Sequence, residues 1–256
     1  MNFGKIFLPF LFLVPFVFPG NVSARPNEEK TIVLVHGAFA DGSSWQKVIP
    51  ILKAKGFKVV AVQNPSTSLA DDVKVTKRIV NNQKEPVILV GHSWGGMVVS
   101  EVGTHPKVAA VVYVAAFAPA EGDSVMSLLA TAKTPAPGLA EAVADSEGYL
   151  TISEKGIRNY FAPDLTPAEQ DVIFAVQGPI FGSGFSAKTS AAAWKAVPTW
   201  YVLAEQDQMI PPDLQDTMSK RTGGKVTRLN SSHVPMLSKP DEVAKVIIEA
   251  AEQSGN

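Results

Sequence analysis

From residue 31 onward the chain alternates between short, almost wholly apolar runs and longer stretches with apolar residues at helical spacing. Thr31-Ile32-Val33-Leu34-Val35 is the first such run. Trp45, Val48, Ile49 and Leu52 follow at helical spacing, Gly56 ends that helix, and residues 57–62 form the next run. Residues 68–82 read as a polar helix that buries Leu69, Val73, Val75, Ile79 and Val80. Val87-Ile88-Leu89-Val90 and Val108–Ala116 are again continuously apolar and rich in β-branched residues. Strands without polar alternation are buried on both faces. Their alternation with helices therefore predicts a mostly parallel central sheet with helices on both sides.

The rhythm breaks over residues 119–193, which are rich in Ala, Pro, Gly and Ser. Short helices are expected at 124–130 and 166–175, the second opened by the capping pattern Thr166-Pro167-Ala168-Glu169. Phe161, Phe174, Ile180, Phe181 and Phe185 carry too much apolar bulk for a disordered linker. A long insertion of this kind predicts a mostly helical cap over the carboxyl ends of the strands. Regularity returns with strands at Thr199–Ala204 and Lys225–Leu229, a helix at 212–221 and a terminal amphipathic helix at 241–251.

The segment entering this frame with the most chemistry is Gly91-His92-Ser93-Trp94-Gly95-Gly96. It joins an apolar strand to an apolar helix that begins near Met97. Small residues at Gly91 and Gly95 let strand and helix pass closely, so Ser93 stands at the apex of a sharp turn with its hydroxyl exposed. A serine hydroxyl is a weak nucleophile at neutral pH and needs a hydrogen-bonded base. Of the four histidines, His233 follows the last strand at the same sheet edge and is the expected base. His36 is expected to brace a loop, His92 to pack in the turn and His105 to cap a helix. Asp207, just past the Thr199–Ala204 strand, is the expected acid, with Glu205 and Asp123 as rivals. An oxyanion hole needs two backbone donors. Trp94 supplies one, and the loop His36-Gly37-Ala38-Phe39 the other, through Ala38 or alternatively Phe39.

Composition narrows the partners. Lys and Arg total 23 against 24 Asp and Glu, for a net charge of −1, which offers no electrostatic case for nucleic acid. With no cysteine, disulfides, a thiolate nucleophile and a thiolate metal site are excluded. The first 24 residues have Lys5, an apolar run over 6–18 broken by Pro9 and Pro15, and Val22-Ser23-Ala24 before Arg25. That is the pattern of a secretory signal peptide. The expectation is an exported chain starting at Arg25, forming one domain over 25–256, with no stable membrane insertion after cleavage.

Together, His36-Gly37-Ala38, the Ser93 turn, Asp207 with Ile210-Pro211, and His233 with Pro235-Met236-Leu237 resemble the α/β-hydrolase superfamily over about residues 30–250. Within it they are most similar to the small methylesterases and hydroxynitrile lyases of plants and their bacterial relatives. The resemblance implies an α/β-hydrolase fold with a cap inserted after the Val108–Ala116 strand. It also implies hydrolysis of a carboxylic ester through an acyl-enzyme, using Ser93, His233 and Asp207 and no metal or cofactor. The lyases of that group place a Lys after the catalytic His and a Thr in the first loop. Here Val234 and Gly37-Ala38 stand there, which argues against cyanohydrin cleavage. The expected substrate is a small or medium apolar ester, with Phe39, Phe181, Phe185 and Trp194 as candidate pocket residues. Similar serine triads also support perhydrolase or cofactor-free haloperoxidase chemistry, and a non-catalytic binding protein on the same fold is the reading from a different class.

Overall fold

The computed structural model describes Met1 and residues 30–255. Apart from Met1, the expected signal peptide therefore lies outside the described residues. The first half of the main body runs β1 (Thr31–Val35), α1 (Val48–Ala54), β2 (Lys58–Ala61), α2 (Leu69–Asn81), β3 (Val87–Ser93), α3 (Gly95–Val102) and β4 (Val108–Ala116). The insertion holds α4 (Val125–Leu129), β5 (Ala142–Ala144), β6 (Tyr149–Ile152), the single turn α5 (Glu154–Gly156), α6 (Pro167–Val176) and β7 (Ile180–Phe181). The main body then resumes with β8 (Thr199–Ala204), α7 (Pro212–Thr222), β9 (Lys225–Leu229), α8 (Pro235–Ser238) and α9 (Pro240–Gln253).

The main sheet has the order β2-β1-β3-β4-β8-β9, and every pairing is parallel. The continuous apolar runs have their cause here. Every residue of β1, β3 and β8 is buried, because helices cover both faces, whereas the edge strands β2 and β9 are partly exposed and correspondingly more polar. Among the described residues, no helix is long and apolar enough to cross a membrane.

Two sequence-based expectations change. The insertion is not mostly helical: β5, β6 and β7 form a small antiparallel sheet beside its short helices. These strands are only two to four residues long, too short to show an alternation, and β6 finds β7 across a long stretch of chain. The expected α6 cap is present, with Thr166 and Glu169 bonded reciprocally. The second change lies in α2. Its fully buried line is Leu69, Asp72, Thr76 and Val80, while Val73, Val75 and Ile79 are only partly buried. A carboxylate therefore occupies a core position, and its partner lies at the site.

Candidate active site

Strand β3 carries its buried run directly into the Ser93 turn, and Ser93 has φ of 51°, in the left-handed region. A non-glycine residue holds that conformation only where its surroundings over-determine it. Part of the reason is space: a Cβ on Gly91 would stand 2.6 Å from the Gly95 carbonyl oxygen. The loop after β1 presses equally closely, since a Cβ on Gly37 would lie 2.7 Å from Ser93 Cβ.

The ends of β8 and β9 bring the other two groups to Ser93. His233 Nε2 is 2.9 Å from Ser93 Oγ, and His233 Nδ1 is 2.7 Å from Asp207 Oδ2. All three residues are buried, with Ser93 the most accessible at 7% exposure. Asp207 is held by further donors. Its Oδ1 accepts from the backbone N–H groups of Met209 (2.8 Å) and Ile210 (3.0 Å), and its Oδ2 from Gln215 Nε2 (2.8 Å). Gln215 is fixed in turn, accepting from the Ala204 N–H and donating to the Ile210 carbonyl. These bonds satisfy a buried carboxylate and leave it one orientation.

Of the rivals for the acid, Asp123 turns away. It accepts from Arg221 Nη1 at 3.0 Å and from the Ala120 N–H at 2.9 Å. Glu205 sits exposed at the end of β8. The remaining histidines brace the site. Asn64 N–H donates to His36 Nε2, so His36 Nδ1–H donates to the Gly37 carbonyl, 2.8 Å away, and steadies the loop bearing Ala38. His92 Nε2–H donates to the His233 carbonyl at 2.8 Å. Burial, followed by the neighbouring His233, holds the His92 imidazole well below its ordinary titration range, so it stays neutral. His105 accepts from the Lys107 N–H beyond α3.

An apolar cavity of about 290 Å³ opens on Ser93 and His233. Ala38 and Trp94, the expected oxyanion donors, line it, and so do Phe39 and Phe185. Phe181 and Trp194 do not. Phe181 packs on Tyr149, with ring centroids 5.2 Å apart, because β7 pairs with β6. Trp194 donates its indole N–H to the Pro119 carbonyl at 2.7 Å and lies beneath the Arg221 guanidinium, tying the end of the insertion to the body. Both aromatics leave the candidate pocket. Their places are taken by residues the sequence reading did not single out, chiefly Met126, Leu129, Leu139 and Leu150 from the insertion and Met209 and Ile210 beside Asp207. Among the described residues, no group of three or more His, Asp or Glu is placed to hold a metal ion.

Two contacts missed in the sequence complete the site. Phe161, on a π-helical turn at Ile157–Phe161, sets its edge against the His233 ring at a centroid distance of 5.1 Å. Asp72 is the second. Its Oδ2 accepts from the Trp94 indole N–H at 2.8 Å and its Oδ1 from the Ser66 N–H at 2.8 Å. Burial pushes its carboxyl above the usual range, and the bonds from Trp94 and Ser66 pull it part of the way back. Ser66 also accepts from the Phe181 N–H, so this one carboxylate links α2, the nucleophile turn and the insertion. Asp72→Ala strands two buried donors, so a loss of about 2–4 kcal/mol is expected. That corresponds to a fall of roughly 5–15 °C in Tm for a domain of this size. Thermal unfolding of the variant measures it; a midpoint within a degree of the parent would mean that water replaces the carboxylate without cost.

The model of the alpha/beta hydrolase family matches residues 32–246. The chain belongs to that family. This alpha/beta hydrolase is 27% identical to the pyrethroid hydrolase of Sphingobium wenxiniae over 254 residues, covering 86% of this chain and 87% of the relative. It is 25% identical to methylesterase 1 of Arabidopsis thaliana over 263 residues, covering 89% and 99%. The crystal structure of polyneuridine aldehyde esterase superposes with a TM-score of 0.76 at 22% identity, covering 86% of this chain and 98% of that one. At that identity the last match speaks to the fold alone.

Proposed function

We propose that this chain is a serine esterase that cleaves a small or medium apolar carboxylic ester. The observation that carries the reading is the continuous relay Ser93–His233–Asp207, bonded at 2.9 and 2.7 Å and opening on an apolar cavity. The names of the relatives, a pyrethroid hydrolase and a methylesterase among them, agree with an ester substrate.

In the proposed reaction, Ser93 Oγ attacks the ester carbonyl while His233 Nε2 takes its proton. Asp207 holds the Nδ1–H tautomer and stabilises the imidazolium as it forms. The backbone N–H groups of Ala38 and Trp94 receive the oxyanion. Trp94 immediately precedes α3, so its N–H also has the positive end of a helix behind it. Collapse breaks the bond to the alcohol oxygen, which takes the proton from His233, and water then hydrolyses the acyl-enzyme by the same path.

Exposure of the protein to a fluorophosphonate, followed by peptide mass spectrometry, tests this reading. Covalent labelling confined to Ser93 is expected, and an unlabelled Ser93 in folded protein would leave a non-catalytic binding role. The leader expected over 1–24 extends the reading to an exported enzyme. N-terminal sequencing of protein from its native host should then give Arg25 first, and an intact Met1 chain in the membrane fraction would refute cleavage.

A further inference from the structure

A second cavity, of about 280 Å³, lies on the other side of Phe39 from the Ser93 cavity. The two share that residue as a wall. Phe39 is itself buried and holds a φ of 59°, a left-handed backbone that an aromatic residue adopts only under constraint from its surroundings. Its ring also meets Phe185 edge-on at 6.3 Å. The partition is therefore built into the oxyanion loop.

The second cavity begins beside His233. Phe161, whose edge rests on the imidazole, lines it, and so does Val234, the next residue in the chain. Its far wall is α6, through Val172, Ile173 and Val176. Val172 and Val176 are 50% and 41% exposed, which is costly for valine unless something apolar covers them. Lys47 closes the rim, donating to Glu169 of α6 at 2.5 Å and to the Leu237 carbonyl at 2.9 Å. The Lys47 ammonium is the leading influence that holds the Glu169 carboxyl down to about 2. The pair is therefore ionised across the working pH range, and it pins α6 over the cavity.

Acyl transfer has a fixed handedness at such a relay. His233 Nε2 takes the Ser93 proton and must deliver it to the leaving oxygen, so the alcohol half of the ester lies on the His233 side. The acyl half lies over the oxyanion donors, in the cavity that Trp94 and Leu150 line. Resting on the esterase reading above, we infer that the cavity beyond Phe39 is the alcohol subsite. The substrate class is then a carboxylic ester with a bulky apolar group, of ring size, on each side of the carboxylate. In the acylation step the Ser93 Oγ–carbonyl bond forms and the carbonyl–alkoxy bond breaks. The proton passes through His233 to the departing alcohol, which leaves into the second cavity. Either cavity alone falls at the small end of ligand sites, which span about 300–1,000 Å³, and the two together fall within that range.

Two ester series on the full chain test this. One varies the alcohol of an acetate from methyl to benzyl to phenylbenzyl, and the other varies the acid of a methyl ester. Val172→Trp and Ile173→Trp each put an indole into the second cavity, and Val172 is exposed enough to accept it without disturbing the fold. The ratio of kcat/KM for benzyl acetate to that for methyl acetate should fall about 10–100-fold in either variant. The corresponding long-acid to short-acid ratio should move less than twofold. Leu150→Trp should do the reverse. Alcohol ratios that stay put in both α6 variants, or acid ratios that move instead, would overturn the assignment. A parent protein that cleaves no ester in either series would overturn the esterase reading itself. Cleavage of methyl esters with indifference to the alcohol would overturn only the subsite.

Discussion

Ser93→Ala and His233→Ala are each expected to reduce ester turnover by roughly 10³-fold or more, and the double variant by little more than either single one. The reason is that the two side chains perform one operation. Without the hydroxyl, no acyl-enzyme can form. Without the imidazole, the hydroxyl keeps its proton and remains a poor nucleophile. The 2.9 Å contact between His233 Nε2 and Ser93 Oγ is the geometric expression of that unit. Neither substitution should unfold the chain. The Ser93 position is tight, but alanine is smaller than serine. His233 keeps its backbone carbonyl bonded to His92 after truncation. Steady-state rates on a p-nitrophenyl acetate series, with circular dichroism to confirm folding, measure the effect. Unchanged kinetics in Ser93→Ala would remove Ser93 from the chemistry and the serine-esterase reading with it.

The parts of this architecture that could be read from the sequence share a physical cause. Strands buried on both faces leave uninterrupted apolar runs, so β1, β3, β4 and β8 stand out with bounds close to those observed. Chemistry in a parallel sheet gathers at the carboxyl ends of its strands. Three polar residues just beyond three such runs were therefore candidates to meet, and Ser93, Asp207 and His233 lie within hydrogen-bond reach. What stayed hidden depends on contacts between distant segments. The antiparallel sheet of the insertion pairs Leu150 with Ile180, and neither short strand advertises its partner. Residue type marked Phe181, Phe185 and Trp194 for burial but carried no address, so only Phe185 of the three lines the cavity. Asp72 is the sharpest case. An apolar periodicity cannot register a carboxylate that belongs to the core because an indole N–H and a backbone N–H need it there.

Asp207→Asn is expected to lower turnover by roughly 10⁴-fold, a larger effect than its distance from the reacting atoms suggests. Asp207 does not touch substrate in the proposed reaction. It fixes which imidazole nitrogen carries the proton. Oδ2 lies 2.7 Å from His233 Nδ1 and accepts its N–H, which leaves Nε2 unprotonated and facing Ser93. An asparagine there is constrained by its surroundings. Its carbonyl oxygen would serve the Met209 and Ile210 N–H groups, which now share Oδ1 at 2.8 and 3.0 Å. The amide NH₂ would then point at His233 Nδ1 and force the proton onto Nε2, facing a hydroxyl that needs a base. The same NH₂ would oppose the Gln215 side-chain donor that now bonds Oδ2, so some loss of stability should accompany the loss of activity. Asp123→Asn and Glu205→Gln provide the comparison. Asp123 is engaged by Arg221 and the Ala120 N–H, and Glu205 is exposed, so each should change turnover far less. Measured on the same p-nitrophenyl ester, a severe defect in Asp123→Asn with a mild one in Asp207→Asn would move the acid to the β4 loop. Raising the pH cannot rescue Asp207→Asn, because the misplaced proton belongs to a neutral imidazole rather than to a titrating carboxylate. A rate that recovers to the parental value above neutrality would therefore show that Asp207 only shifts the base's titration and does not set its tautomer.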